Sequence, residues 1–201
     1  MKFLAANAPA FSLTAVQPIA SLHFGRHGKL TPLYSERDQN SLLFCEPDGT
    51  ALVIKIANVA EDPANIGTQI AALAHIATVD PALPVPRLRL SVQGDGKVQV
   101  AGHWVYVLSY LPGNLATASP RNPASLQLIG GTLARLGRAL HGFFDPVTET
   151  RELMWDMRLV LGLAPAANAL PLVEQARMGE VLTRFQADVI PRLASLRAQV
   201  T

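Results

Sequence analysis

One apolar segment with a single lysine near its end limits what this chain can fold into. The segment spans residues 49–58 (GTALVIKIAN) and is opened by the turn sequence Glu46-Pro47-Asp48-Gly49. A short apolar run bounded by turn-forming residues is typical of a buried strand. Burying the Lys55 ammonium in such a strand costs free energy unless an anion meets it. Lys55 therefore either extends its amine from the strand end into water or is held rigidly to receive phosphate oxygens.

Two strands precede the lysine strand and predict an antiparallel meander. Lys29–Tyr34 contains a proline, which indicates an edge or irregular strand, and Ser41–Cys45 leads into the turn. A polar loop, Ser35–Asn40, separates the two strands. Residues 11–22 carry loosely helix-spaced apolar side chains and predict a short helix before the sheet.

The residues after the lysine strand change from a strand-like to a helical pattern and back again. A helix is predicted over Ala64–Thr78, and the prolines that follow close it off. Residues 87–93 and 97–101 flank a Gly-Asp-Gly turn and predict a hairpin. Trp104–Tyr110 then reads as one more strand.

The rest of the chain is predicted to be helical. Asn122-Pro123 supplies an N-cap and a proline at the first helical position. Apolar side chains then recur at helical spacing: Leu126, Ile129, Leu133, Leu136, Leu140 and Phe143. We therefore predict an α+β fold. Residues 1–110 form a lobe with a five-stranded antiparallel sheet and one helix, and residues 111–201 form a partial helical lobe.

Composition excludes several classes of function. The net charge of +2 is too small and too scattered to indicate nucleic-acid binding. No run approaches the roughly 18 apolar residues that a membrane span needs. The only cysteine, Cys45, rules out an internal disulfide and fits a reducing compartment. We expect a cytoplasmic protein that contacts neither nucleic acid nor membrane.

Five short motifs occur in order along the chain: Ser35–Asn40, Val53–Ile56, Leu83–Pro86, Leu108–Gly113 and Met154–Met157. Together they resemble the aminoglycoside phosphotransferase family, and most closely its hydroxylysine-kinase-like branch. The resemblance covers roughly residues 25–199. It implies a protein-kinase-like fold and transfer of the γ-phosphoryl group of ATP to a small-molecule hydroxyl.

The resemblance assigns Lys55 to the α- and β-phosphates of ATP. In the family, a glutamate on the following helix fixes this lysine. Our chain has Gln69 at the matching position, and a glutamine accepts a hydrogen bond but contributes no charge. Glu61 is the alternative partner, although it precedes the predicted helix.

The resemblance also places Ser35, Asn40 and the backbone N–H groups of their loop against the phosphates. The pattern alone fits an ordinary solvated turn equally well. Ser109 and Leu111 match hinge positions that bind adenine through the Ser109 carbonyl and the Leu111 N–H. On pattern alone, these two residues are a strand end followed by a turn.

The catalytic residues of the family are not identified in this sequence. They lie on a His-x-Asp…Asn loop and an Asp-centred metal motif beyond the last helix, and the sequence stops at Thr201. His141 and Asp145 end a periodic helix, which predicts a cap and a turn instead. Asp156 is interpreted as a hydrogen-bonding residue that orients a helix. We therefore expect no catalytic residue and no Mg²⁺ ligand in this chain, and a further domain after Thr201 is one way to supply them.

Two hypotheses of different class follow. The first is the nucleotide-binding half of a kinase that uses ATP and Mg²⁺, with a nucleotide and a small alcohol as its partners. Whether this chain is itself an enzyme stays open, and alone we expect it to bind without turnover. The second is a noncatalytic nucleotide-binding or interaction module derived from a kinase-like lobe.

Overall fold

The computed structural model describes residues 6–46, 48–114, 119, 122–147, 156–193, 195 and 196. These residues group into two compact units, one ending at residue 147 and the other beginning at residue 156. No helix in the described part of the chain is both long and apolar enough to cross a bilayer. The division into two lobes at residue 110 stays a prediction.

The first unit is built on a six-stranded antiparallel sheet. In chain order its strands are β1 (Lys29–Leu33), β2 (Gln39–Cys45), β3 (Thr50–Ile56), β4 (Leu88–Arg89), β5 (Val98–Val100) and β6 (His103–Ser109). The spatial order is β1-β2-β3-β6-β4, with β5 also paired to β6. The strand that carries Lys55 therefore lies at the centre of the sheet. The predicted count of five strands is corrected to six, because β4 and β5 pair with β6 as separate short strands.

The hairpin predicted over residues 87–101 is wrong. β4 pairs with Val107 and Leu108, whereas β5 pairs with the first residues of β6. The connection between β4 and β5 is closed by Ser91, whose backbone N–H donates to the Asp95 carbonyl over 2.8 Å and whose hydroxyl accepts the Asp95 N–H over 3.0 Å. The local turn signal was right, but the flanking strands pair with β6 and not with each other.

The side chains of β3 point alternately to the two faces of the sheet, and both faces are packed. Its even-numbered residues from Leu52 to Ile56 are buried in a core that includes α1 (Leu13–Phe24). The opposite face carries Lys55 and packs through Tyr106 against α2 (Pro63–Val79). The two-residue period of a strand therefore directs the lysine to the side of the sheet that α2 covers.

Local sequence sets where the helices begin. The Asp62 side chain caps α2 by accepting the Ala64 N–H over 2.8 Å. In α3 (Pro123–Ala139), Asn122 and Ser125 form a capping box. Both helices have proline in the first turn, where its missing N–H costs nothing. The limits predicted for α2 and the N-cap predicted for α3 are confirmed.

The apolar stripe predicted from Leu126 to Phe143, which runs along α3 and past its end, divides into a buried and an exposed part. Its C-terminal members pack against the end of α2: Leu136, Leu140 and Phe143. Its N-terminal members are exposed: Leu126, Ile129 and Leu133. Helical spacing alone therefore does not distinguish which part of this stripe packs in the core.

The second unit is helical. It comprises a 3-10 segment (Met157–Ala169), α4 (Leu172–Arg184), a π-helical turn (Phe185–Val189) and α5 (Ile190–Leu193). The π-helical turn lies just before Pro191, which cannot continue α-helical hydrogen bonding. Asp156 caps the 3-10 segment by accepting the Arg158 N–H over 2.9 Å, as its interpretation as a helix-orienting residue predicts. Trp155 in the fifth motif, and Thr201, lie outside the described residues.

Candidate functional site

The candidate site lies on the sheet face that α2 covers. Lys55 is directly opposite Asn40 in β2 and Tyr106 in β6, so the three residues form a row across the sheet. The Lys55 side chain is 24% exposed, and its Nζ lies 5.9 Å from the centroid of the Tyr106 ring. The side chain is therefore mostly covered by protein, yet part of it remains accessible.

An aspartate from the β1–β2 loop, residues 34–38, supplies the countercharge. Asp38 Oδ2 lies 3.8 Å from Lys55 Nζ, and the Asp38 side chain is 27% exposed. The other carboxylate oxygen, Oδ1, accepts the Asn58 backbone N–H over 3.0 Å. Lys55 therefore pairs with a carboxylate of the protein and does not extend into open water, and its contact with phosphate oxygens stays a prediction.

The predicted contact between Lys55 and Gln69 is wrong. Gln69 is exposed on α2, because Ile66 and Ile70 occupy the face of that helix that packs on the sheet. The alternative partner, Glu61, accepts a hydrogen bond from the Asn65 side chain over 3.0 Å. The anion beside Lys55 comes from the loop and not from the helix.

The predicted polar loop is shorter than the sequence suggested. Asn40 belongs to β2, and Gln39 pairs with Ile56 in the same strand ladder. The Gln39 amide also donates to the Phe11 carbonyl over 2.7 Å, which anchors the start of the strand. Ser35 remains in the loop, where it is half-buried.

Two polar side chains, Asn40 and Tyr106, lie beside Lys55 in the row across the sheet. Asn40 Oδ1 is buried without a hydrogen-bond partner, which is unfavourable for a polar atom unless a ligand or water completes the site. Burial, with smaller contributions from the negative charges of Asp38 and Glu61, raises the pKa of the Tyr106 hydroxyl. That hydroxyl therefore stays protonated at neutral pH.

Asn58 fixes the loop that carries Asp38. Its side chain is buried and donates to the carbonyl oxygens of Asn7 and Arg37 over 3.0 and 3.1 Å. Its Oδ1 accepts the Ala60 N–H over 2.9 Å. Sequence reasoning missed both Asn58 and Asp38. No local sequence signal identifies them, since Asp38 reaches Lys55 only through the strand register that places Asn40 opposite Lys55.

The predicted adenine-binding residues lie at the far end of β6. Ser109 is its last residue and pairs with Leu52, three residues from the Lys55 row or about 10 Å along the strand. The Ser109 N–H donates to the Arg87 carbonyl, and its hydroxyl accepts the Arg87 N–H, both over 2.8 Å. Leu111 follows in an irregular segment and is partly exposed. Adenine binding here stays a prediction.

The described residues do not form a metal site by themselves. Within the described ranges, no three His, Cys, Asp or Glu side chains come together as metal ligands would. His141 lies in a 3-10 turn, Leu140–Gly142, and Asp145 accepts the Val147 N–H over 2.9 Å, so both belong to the predicted turn.

Comparison with solved structures defines the class of fold. Spectinomycin phosphotransferase, APH(9)-Ia, solved with ADP and spectinomycin, matches with a TM-score of 0.59 at 9% identity, over 94% of this chain and 60% of that one. A microcompartment-associated aminopropanol kinase matches with a TM-score of 0.55 at 19% identity, over 78% and 49%. The AMP-bound form of the first enzyme gives a TM-score of 0.50 at 12% identity, over 92% and 57%. The fold is that of kinase-like phosphotransferases.

The chain belongs to the phosphotransferase enzyme family APH, which it matches over residues 29–200. The family and the kinase-like fold expected from the five motifs are thereby confirmed. The chain spans 60% or less of the length of these solved structures. No curated protein sequence matches it significantly.

Proposed function

We propose that this chain binds ATP as the nucleotide-binding part of a kinase that phosphorylates a hydroxyl group of a small molecule. The observation that carries the proposal is the Lys55 ammonium, fixed at the centre of the sheet with Asp38 Oδ2 3.8 Å away, in a chain of the APH family. The ADP held by spectinomycin phosphotransferase supports a nucleotide ligand. The aminopropanol kinase supports an amino alcohol as acceptor, of which hydroxylysine is one example.

Each group of the site has a role in this proposal. Lys55 donates charge-assisted hydrogen bonds to the α- and β-phosphates. Ser35, Asn40 and the loop N–H groups contact the phosphate oxygens, since a rotated Asn40 amide offers donors in place of its unpaired oxygen. The Ser109 carbonyl and the Leu111 N–H bind adenine. Gln69, exposed on α2, has no role in it.

The described residues account for nucleotide binding only. Phosphoryl transfer also needs a group that orients the acceptor hydroxyl and carboxylates that hold Mg²⁺, and we assign neither to these residues. A cytoplasmic location is part of the proposal, because ATP is the expected ligand and Cys45 is a free, buried thiol.

Nucleotide binding is tested by the change in melting temperature on adding ADP or Mg-ATP. Ligand at about 100 times its dissociation constant stabilises a protein by roughly 2.7 kcal/mol. For a chain of this size that corresponds to a rise of about 5–10 °C. We expect the Lys55→Ala variant to lose most of the rise, because the phosphates lose the half-buried ammonium that the central strand holds.

The matched control is Lys29→Ala, which removes an exposed lysine from the edge strand β1. It should leave the rise unchanged. If nucleotide raises the melting temperature of the wild type and of the Lys55→Ala variant equally, Lys55 does not contact the nucleotide and the proposal is wrong. ATP consumption by the intact natural protein with amino alcohols then separates a kinase from a noncatalytic module.

A further inference from the structure

We propose that Asp38 is the positioning residue of this nucleotide site. In protein kinases an acidic residue on the helix after the lysine strand holds the lysine. Here the β1–β2 loop carries that charge instead. The inference rests on the proposed nucleotide binding and adds the residue that orients its lysine.

The surroundings of Lys55 leave Asp38 as its anchor. The Lys55 side chain is only 24% exposed, so its charge needs a nearby anion in the absence of ligand. Gln69 is exposed and neutral, α2 itself carries no carboxylate, and Glu61 is not within ion-pair distance of Lys55. The carboxylate of Asp38 is the anion within ion-pair distance.

Asp38 is held in place without any help from a nucleotide. Its Oδ1 accepts the Asn58 backbone N–H over 3.0 Å, and the Asn58 side chain donates to the carbonyl of the preceding residue, Arg37, over 3.1 Å. The loop is therefore bonded to Asn58 at two consecutive residues. A carboxylate fixed in this way stays beside Lys55 when a phosphate arrives.

The length of the ion pair favours positioning over competition. The 3.8 Å between Lys55 Nζ and Asp38 Oδ2 exceeds the 2.7–3.2 Å of a direct N–H···O hydrogen bond. Asp38 therefore attracts the ammonium without taking up its donor groups. Those N–H groups remain directed by the charge of Asp38 and available to phosphate oxygens.

The experiment measures dissociation constants for ADP and for adenosine in the wild type and in Asp38→Asn. This variant keeps the size of the side chain and an oxygen for the Asn58 N–H, and removes only the charge. We expect ADP to bind about tenfold more weakly, as expected for loss of one charge-assisted interaction, and adenosine to bind unchanged. Asp38→Glu should restore most of the ADP affinity.

Glu36→Gln is the matched control, because Glu36 is exposed on the same loop and the variant removes the same charge. It should leave both affinities unchanged. An unchanged ADP affinity in Asp38→Asn would overturn the inference, and tighter ADP binding would show that Asp38 competes with phosphate. Equal weakening of ADP and adenosine would reduce Asp38 to a structural role. If Lys55→Ala also leaves ADP binding intact, the proposed function itself fails.

Discussion

Replacing Asn58 by alanine should destabilise the protein more than removing the amide side chain of Asn122 from its helix cap. Asn58 is 3% exposed, and its side chain joins two segments that are distant in sequence to the residues that follow it. It holds the chain at Asn7, the loop at Arg37 and the entry to α2 at Ala60. All three connections depend on one amide group, so one substitution removes them together.

The magnitude follows from the hydrogen bonds that are lost. They measure 3.0, 3.1 and 2.9 Å, all of normal length. A buried hydrogen bond contributes about 1 kcal/mol net to stability, so Asn58→Ala should cost about 3 kcal/mol. For a chain of this size that lowers the melting temperature by roughly 6–12 °C.

The assay is urea unfolding with thermal melting as a second measurement, each without nucleotide. Asn122→Ala is the matched control, since it removes the same side chain from a helix cap and should cost about 1 kcal/mol. A loss for Asn58→Ala no larger than that of the control would refute the reasoning. It would mean that water replaces the three bonds and that Asn58 does not hold the loop.

Two further predictions concern packing and pH. Gly28→Ala should cost at least about 3 kcal/mol in urea unfolding, because its Cβ would lie 2.0 Å from the Phe44 carbonyl oxygen and force β1 away from β2. Gly67→Ala in α2 should instead stabilise by about 0.5–1 kcal/mol, and equal effects would contradict this steric account. A side-chain hydrogen bond from Arg135 lowers the pKa of Asp80 in the folded protein. The pair therefore stabilises the fold above the pKa of about 3.9 that an aspartate has in the unfolded chain. This contribution is lost as the pH falls through the pKa of Asp80 in the folded protein. Between pH 5 and pH 2.5 the melting temperature of Asp80→Asn should therefore fall less than that of the wild type. Parallel plots of melting temperature against pH for the two proteins would contradict this prediction.

The parts of the fold that depend on neighbouring residues could be predicted from the sequence. The start of α2 follows from Asp62 and the proline after it, and the start of α3 from Asn122. The burial of β3 around Lys55 follows from its run of apolar residues. These signals act over a few residues, so they do not need the tertiary structure.

The parts that depend on strand register could not be predicted in this way. β4 and β5 flank a genuine turn, yet both pair with β6, and no local pattern records that choice. The Asp38–Lys55 pair joins residues 17 positions apart and exists because Asn40 is registered opposite Lys55. The family resemblance implied Gln69 at the site, but Ile66 packs on the sheet and Gln69 is exposed.

The origin of the countercharge bears on how such a chain could be switched. In protein kinases, moving the helix after the lysine strand breaks the ion pair and silences the enzyme. Here the pair joins β3 to the five-residue connection between β1 and β2, and neither of its residues belongs to α2. A movement of α2 alone therefore carries away neither partner, and separating the pair requires a displacement of the β1–β2 loop or of β3.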